Sequence, residues 1–235
     1  APSRALLITG VYANRTGGFR NDMWAFDSRG KLFTDRPSWS KLLQKGGYVT
    51  AVAGKWHCGA REPWDEHIGF DEYCLWEGPD KIKSHFGVDP IGSGARKDLK
   101  LSDTRYWYPS TVQNGKYLKV AENGFGPDQR CDFLMDFMER MTKKKQPFVA
   151  YWPTVIPHGP YSTTPDHGKP MDVELKKPNP KGLSKEARAR VMKAYNEKQA
   201  QRFVYLIEYM DKLIGQLMAK VEDLEIYENT YFIFC

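Results

Sequence analysis

Three short stretches of this chain carry side chains suited to chemistry: Ala1-Pro2-Ser3-Arg4, Gly54-Lys55-Trp56-His57 and Pro157-His158-Gly159-Pro160. Lys55 follows a glycine and offers a compact, strongly hydrated full charge. His57 and His158 offer proton donors and acceptors that titrate near neutrality. Pro2 pre-organises a helix start, and a helix N-terminus presents free backbone donors and partial positive charge to an anion or a developing oxyanion. Taken singly, each stretch also fits a solvated lysine or a surface histidine. In combination they describe a site that hydrolyses an anionic ester.

Such groups converge only if the intervening elements fold back on one another. Pro2 to Ile8 reads as a helix that Gly10 ends. A second helix fits Pro37 to Gln44, with Trp39, Leu42 and Leu43 on one side and Gly46-Gly47 as its stop. Tyr48 to Ala53 is a β-prone run ending at Gly54, and Pro147 to Trp152 is another that delivers Pro157-His158 to a loop. Between them, Asp128 is the expected cap of an amphipathic helix through Lys145, with Phe133, Leu134, Phe137, Met138 and Met141 at helical spacing. Residues 159–183 are proline-rich and read as a surface loop. Ser184 caps a long helix to about Leu224 whose apolar stripe is read as Val191, Tyr195, Val204, Ile207, Leu213, Ile214, Leu217 and Val221. Tyr231 to Cys235 reads as a final apolar strand. The order helix, buried strand, functional loop predicts an open α/β sheet with its site beyond the carboxyl ends of the strands. Residues 59–126 read as an irregular insertion on the active-site face, with a hairpin near Tyr106-Trp107-Tyr108 and Asn114-Gly115.

Composition narrows the function classes. The 235 residues are 41% apolar and 27% charged, enough for a sizeable core. Thirty-five Lys plus Arg against 29 Asp plus Glu leave +6, too little to mark a nucleic-acid binder. No apolar run reaches the roughly 20 residues that cross a bilayer. The four cysteines, Cys58, Cys74, Cys131 and Cys235, contain no Cys-x-x-Cys pair, against a zinc or dithiol redox motif. They leave two disulfides and buried free thiols both open. The acidic pairs Asp71-Glu72 and Glu222-Asp223 read as structural, not as the carboxylates of a glycosidase. His67, His85 and His167 read as surface histidines, His167 having the strongest claim to a site because its loop would border the substrate entrance.

The motifs resemble those of the sulfatases, the arylsulfatase-like branch of the alkaline phosphatase superfamily. That family's signature is Cys-x-Pro-Ser-Arg followed by Thr-Gly, and Pro2-Ser3-Arg4 with Thr9-Gly10 matches all but its first residue. Its second block is matched by Gly47-Tyr48-Val49-Thr50-Ala51-Val52-Ala53-Gly54-Lys55-Trp56-His57, with Gly69-Phe70-Asp71-Glu72-Tyr73 as the sequel. Gly126-Pro127-Asp128, Pro157-His158-Gly159-Pro160, Thr164-Pro165-Asp166, Asp211 to Gly215 and Glu228-Asn229-Thr230 follow in the family's order.

The resemblance implies an alkaline-phosphatase-like sheet sandwiched by helices, here as a partial catalytic domain spanning residues 1–235. It implies a sulfuric ester hydrolase acting on an aryl or carbohydrate sulfate. Its nucleophile would be a formylglycine hydrate made from Cys or Ser just before Ala1 by a formylglycine-generating or maturase enzyme. The hydrated aldehyde attacks sulfur, and the hemiacetal sulfate then eliminates sulfate. Arg4 is implied to support the nucleophile, Lys55 to contact it and a sulfate oxygen, and His57 to take the proton that triggers elimination. His158 is implied to bind sulfate and, as a protonated imidazole, to act as general acid at the leaving oxygen. A divalent cation, calcium, is implied with ligands upstream of Ala1 and downstream of Cys235, so none is assigned within the chain. Both termini are therefore read as cuts, and the chain by itself as inactive. The family also implies export, to a periplasmic, extracellular or lysosomal site. Two rivals stand beside this reading: a phosphonate or phosphate monoester hydrolase of the same superfamily, and a catalytically dead paralogue that binds polyanions.

Overall fold

The structure, a computed structural model, describes residues 2–16, 37–56, 68–76, 105–118, 124–168 and 177–235. Five strands form one sheet in the order β4-β3-β2-β1-β5. They are β1 (Val49–Lys55), β2 (Glu72–Trp76), β3 (Thr111–Gln113), β4 (Lys116–Tyr117) and β5 (Phe148–Tyr151). β1 runs parallel to β2 and to β5, while β3 and β4 add an antiparallel hairpin beyond β2. The functional loops therefore leave β1 and β5 on the same edge, at the carboxyl ends of neighbouring parallel strands.

Helices cover both faces. On one lie α1 (Pro2–Thr9) and α3 (Trp39–Lys45), with the short α2 (Ala13–Thr16) between them in sequence. On the other lie α4 (Gly126–Lys143) and the 39-residue α5 (Lys185–Asp223), followed by a 3-10 turn at Tyr227–Asn229. With helices on both faces, alternate residues of β1 enter different cores, so the strand is buried on both sides. Val52 joins Ala5, Ile8, Ile68 and Phe70 in one core, while Ala51 and Ala53 join Phe133, Leu134, Phe137 and Met138 of α4 in the other. Phe70 meets the Trp39 ring edge-on at 5.5 Å, closing α3 onto the sheet.

α1 starts and stops as its sequence predicts, with Gly10 at φ +66 where a side chain would be strained. Ser38 caps α3 by accepting from the Lys41 amide, and Ser184 caps α5 by accepting from that of Ala187. Asn114 and Gly115 both take positive φ, as a tight two-residue hairpin demands.

Several expectations need correction. Residues 59–126 are not all irregular: Glu72–Trp76 is the strand beside β1, in the middle of the sheet. Asp128 does not cap α4, which begins two residues earlier at Gly126; its carboxylate instead accepts from the Tyr209 hydroxyl at 2.8 Å. β1 continues through Gly54 to Lys55. Leu42 is exposed, not packed. Ser162, Thr163 and Thr164 are buried, so the loop after His158 has an interior side. In α5 no residue before Leu206 is buried; Val191, Val204 and Ile207 face solvent, and the packed positions are Leu206, Tyr209, Leu213 and Val221. Tyr231 to Cys235 is exposed coil, because no strand among the described residues pairs with it.

Candidate active site

Lys55 and Trp76 end β1 and β2 and are cross-strand partners. Alternation places Lys55 on the face of Ala51 and Ala53, toward α4, and the Lys55 side chain is only 9% exposed. What lets β1 carry a lysine so close to the next loop is Gly54. Its φ is +142, and a Cβ there would stand 2.3 Å from the Pro153 carbonyl oxygen. The Lys55 amide donates to that same carbonyl at 2.9 Å, tying the end of β1 to the segment that leaves β5.

That segment carries His158, and three consecutive residues clasp it. Arg105 donates from Nη1 to the Gly159 carbonyl and lies 2.5 Å from His158 Nδ1. The Tyr106 hydroxyl donates to the His158 carbonyl at 2.7 Å. The Trp107 indole donates to the Thr163 carbonyl at 3.0 Å. Loop carbonyls without a strand partner find side-chain donors instead, which fixes the loop without a ladder. Tyr106 and Trp107 are anchored in turn by Phe125, whose ring lies 6.0 and 4.9 Å from theirs, and by the Gly126 amide donating to the Tyr106 carbonyl at 2.6 Å.

Trp76 joins the two halves. Lys55 Nζ lies 5.8 Å and Arg105 Cζ 5.1 Å from the indole centroid, within cation–π range. Two largely buried cations thus share one aromatic platform, with the exposed His158 beside Arg105, side chains of a kind that can bind a tetrahedral oxyanion.

Of the sequence-predicted residues, Lys55 and His158 are thus linked through Trp76 and Arg105. His57 lies outside the described residues. Arg4 sits half-buried in the first turn of α1, on a different element from Lys55 and His158. α1 nonetheless packs close by, since Ala5 and Ile8 share a core with Trp56, the residue after Lys55. Arg105 was missed by sequence reasoning: no motif surrounds it, and its partner lies 53 positions away. The acidic pair near β2 is structural, as expected. Asp71 accepts from the Thr50 amide and hydroxyl at 2.8 and 2.9 Å, and Glu72 receives Arg140 through two bonds of 2.8 and 2.7 Å. His167 stacks on Tyr205 and lies 3.3 Å from Glu208, fastening its loop to α5.

Burial sets the ionisation of the surrounding groups. It raises the Asp128 carboxyl above its usual range, against the opposing hydrogen bond from Tyr209. It pushes the Cys74 thiol up to about 11 and that of Cys131 to about 12. Among the described residues Cys74, Cys131 and Cys235 are free thiols. No three His, Cys, Asp or Glu side chains among the described residues gather to hold a metal ion, so the implied divalent cation finds no ligand set in them. No helix among the described residues is long and apolar enough to cross a membrane.

A family model described as Sulfatase matches residues 1–235. The N-acetylgalactosamine-6-sulfatase of Canis lupus familiaris is 26% identical over 250 residues, covering 100% of this chain and 40% of the relative. The ulvan-active sulfatase of Formosa agariphila is 27% identical over 240 residues, covering 99% and 40%. The chain thus spans about 40% of the length of these curated relatives. Among solved structures, Ps i-CgsB superposes with a TM-score of 0.60 at 22% identity, over 97% of this chain and 46% of that one. BT4656 in complex with its substrate D-glucosamine-2-N,6-O-disulfate gives 0.60 at 20% identity, over 97% and 53%. These superpositions establish an alkaline-phosphatase-like fold.

Proposed function

The chain belongs to the sulfatase family, and from that premise we propose that the whole protein is a sulfuric ester hydrolase whose substrate is a carbohydrate sulfate. The observation that carries the reading is the linkage of Lys55, at the end of β1, and His158, on the loop that follows the neighbouring parallel strand β5, around Trp76 and Arg105. Lys55 faces the equatorial sulfate oxygens, where charge spreads as the S–O bond breaks, and stabilises them electrostatically. His158 acts as general acid, passing a proton to the leaving oxygen as the S–O bond breaks. His57 accepts the proton whose removal frees the product sulfate, and Arg4 supports the reacting centre from the first turn of α1. A formylglycine hydrate at the position before Ala1, installed by a maturation enzyme, would supply the nucleophile, and a divalent cation, for which the described residues offer no ligand set, would supply charge neutralisation. Export of the protein accords with its family.

The carbohydrate preference draws support from relatives named for N-acetylgalactosamine-6-sulfate and ulvan and from the neighbour bound to a sulfated glucosamine. The test is turnover by the full-length protein. Release of sulfate from 4-nitrophenyl sulfate and from 6-sulfated hexosamines, with kcat/KM well above that for a phosphonate monoester, is the expected result. Preference for the phosphonate, or no turnover with any ester, overturns the reading.

A further inference from the structure

α5 runs antiparallel to β5 and overshoots it. Toward its C-terminal end, Val221 and the following Leu224 share a core with Phe148, at the start of β5. Leu206, Tyr209 and Leu213 pack with Trp152, Val155 and Tyr161, at the end of β5 and on the His158 loop. Residues 185–205 therefore continue past the edge on which Lys55 and His158 stand, and among the described residues none of them is buried. At about 1.5 Å per residue this arm is roughly 30 Å long. It is rooted beside the site: Arg202 donates to the Tyr161 carbonyl at 3.5 Å, and Phe203 meets the Tyr161 ring at 5.3 Å.

The arm concentrates the charge of the chain. Residues 177–202 hold eight Lys and Arg against two Glu, an excess of six that equals the net +6 of all 235 residues. The charge is also sorted by side. At 3.6 residues per turn, Lys185, Arg188, Lys198 and Arg202 fall within about 140° of one another, on the side that Leu206, Tyr209 and Leu213 turn toward the fold. Glu186 and Glu197 fall on the opposite side with Arg190 and Lys193, and Lys193 lies 4.0 Å from Glu197. A row of exposed like charges repels itself, and a ligand of opposite sign lying along it relieves the repulsion.

Resting on the reading of the protein as a carbohydrate sulfatase, we propose that this arm docks an anionic polysaccharide, the sulfated polymer whose ester is cleaved at Lys55 and His158. The cations lead away from the site along the helix, so a chain with one ester at the site meets further positive charge along its length. Such remote contacts raise affinity and association rate for the polymer and leave the chemical step on a small ester untouched. Nucleic acid matches the charge equally well but brings no sulfate ester to the site.

The test uses the full-length protein, chondroitin 6-sulfate as the polymer, 4-nitrophenyl sulfate as the small ester and single-stranded DNA as the rival polyanion. Arg188→Gln/Lys198→Gln removes two charges from the acid-free side, and Arg190→Gln/Lys193→Gln removes two from the other; all four positions are exposed and glutamine suits a helix. The first variant should weaken polymer binding, read by biolayer interferometry at low salt, by roughly 10-fold and flatten its salt dependence, and the second by about 2-fold or less. Neither should change kcat or KM on 4-nitrophenyl sulfate. Unweakened binding in the first variant, equal weakening in both, or single-stranded DNA binding as tightly as the polysaccharide overturns the proposal. Loss of small-ester turnover in the first variant overturns it as well, by assigning those residues to the fold or the site. Polymer binding that depends on Arg188 and Lys198 in a protein that hydrolyses no sulfate ester leaves the docking arm standing and overturns only the sulfatase reading.

Discussion

Lys55 faces Trp76 across parallel strands, its ammonium 5.8 Å from the indole centroid, and Arg105 shares the same ring at 5.1 Å. Two cations on one aromatic surface favour the approach of a sulfate monoester, which carries a single negative charge. In the full-length protein Lys55→Ala should lower kcat by about 10² or more, as removal of a preorganised donor to a developing oxyanion does. His158→Ala should do the same. Unchanged single-turnover rates in either variant would contradict the roles given to them.

Gly54 is the backbone condition for that arrangement. Gly54→Ala would press a methyl against the Pro153 carbonyl at a φ that other residues rarely adopt. The expected loss is about 1–3 kcal/mol in urea unfolding, with a fall in activity as Lys55 moves away from the His158 loop. Wild-type stability would show that β1 reaches Pro153 differently.

The thiols should divide by burial. Cys74 and Cys131 are buried with pKa values raised to about 11 and about 12, whereas Cys235 is exposed. Because the thiolate is the reactive form, Ellman's reagent at pH 8 should label Cys235 quickly and reach Cys74 and Cys131 only after denaturant is added. Rapid native labelling at either buried position would contradict the packing of β2 or α4.

Acid should loosen the contact between α4 and α5. Glu139 accepts from Lys143 within α4 and from Lys220 on α5, the latter at 2.6 Å, and these bonds hold its carboxyl down to about 2. A carboxyl whose folded pKa lies below its unfolded value stabilises the fold above the unfolded value, near 4.5, and loses that contribution as pH falls through about 2. Thermal unfolding of wild type and Glu139→Gln should therefore differ at pH 6 and converge toward pH 2, and the difference should shrink in high salt. A gap that persists at pH 2 would assign the effect to packing instead.

Legibility from sequence tracked how local each feature is. Pro2 and Gly10, Pro37 and Gly46, Ser184, and the apolar spacing from Phe133 to Met141 announce their helices because capping and periodicity are decided within a few residues. β2 went unseen, although Tyr73-Cys74-Leu75-Trp76 is an apolar run, because five residues among glycines, prolines and charges carry little periodic signal. The outward turn of Val191 and Val204 was not visible either: periodicity defines a stripe, and only the tertiary fold decides which part of a long helix is covered. At the site, Lys55 and His158 stood out through their motifs. Arg105 and Trp76 acquire meaning only when β2 and the loop after β5 come together.

The exposed end of the described chain has a colloidal consequence. Tyr231, Ile233 and Phe234 are 95%, 87% and 80% exposed, and Phe232 is 46% exposed. Four consecutive bulky apolar side chains without a gatekeeping charge form a sticky segment able to pair with its own copies. Residues 1–235 expressed alone should therefore scatter light increasingly with concentration, and Ile233→Lys should restore a clear, monodisperse solution.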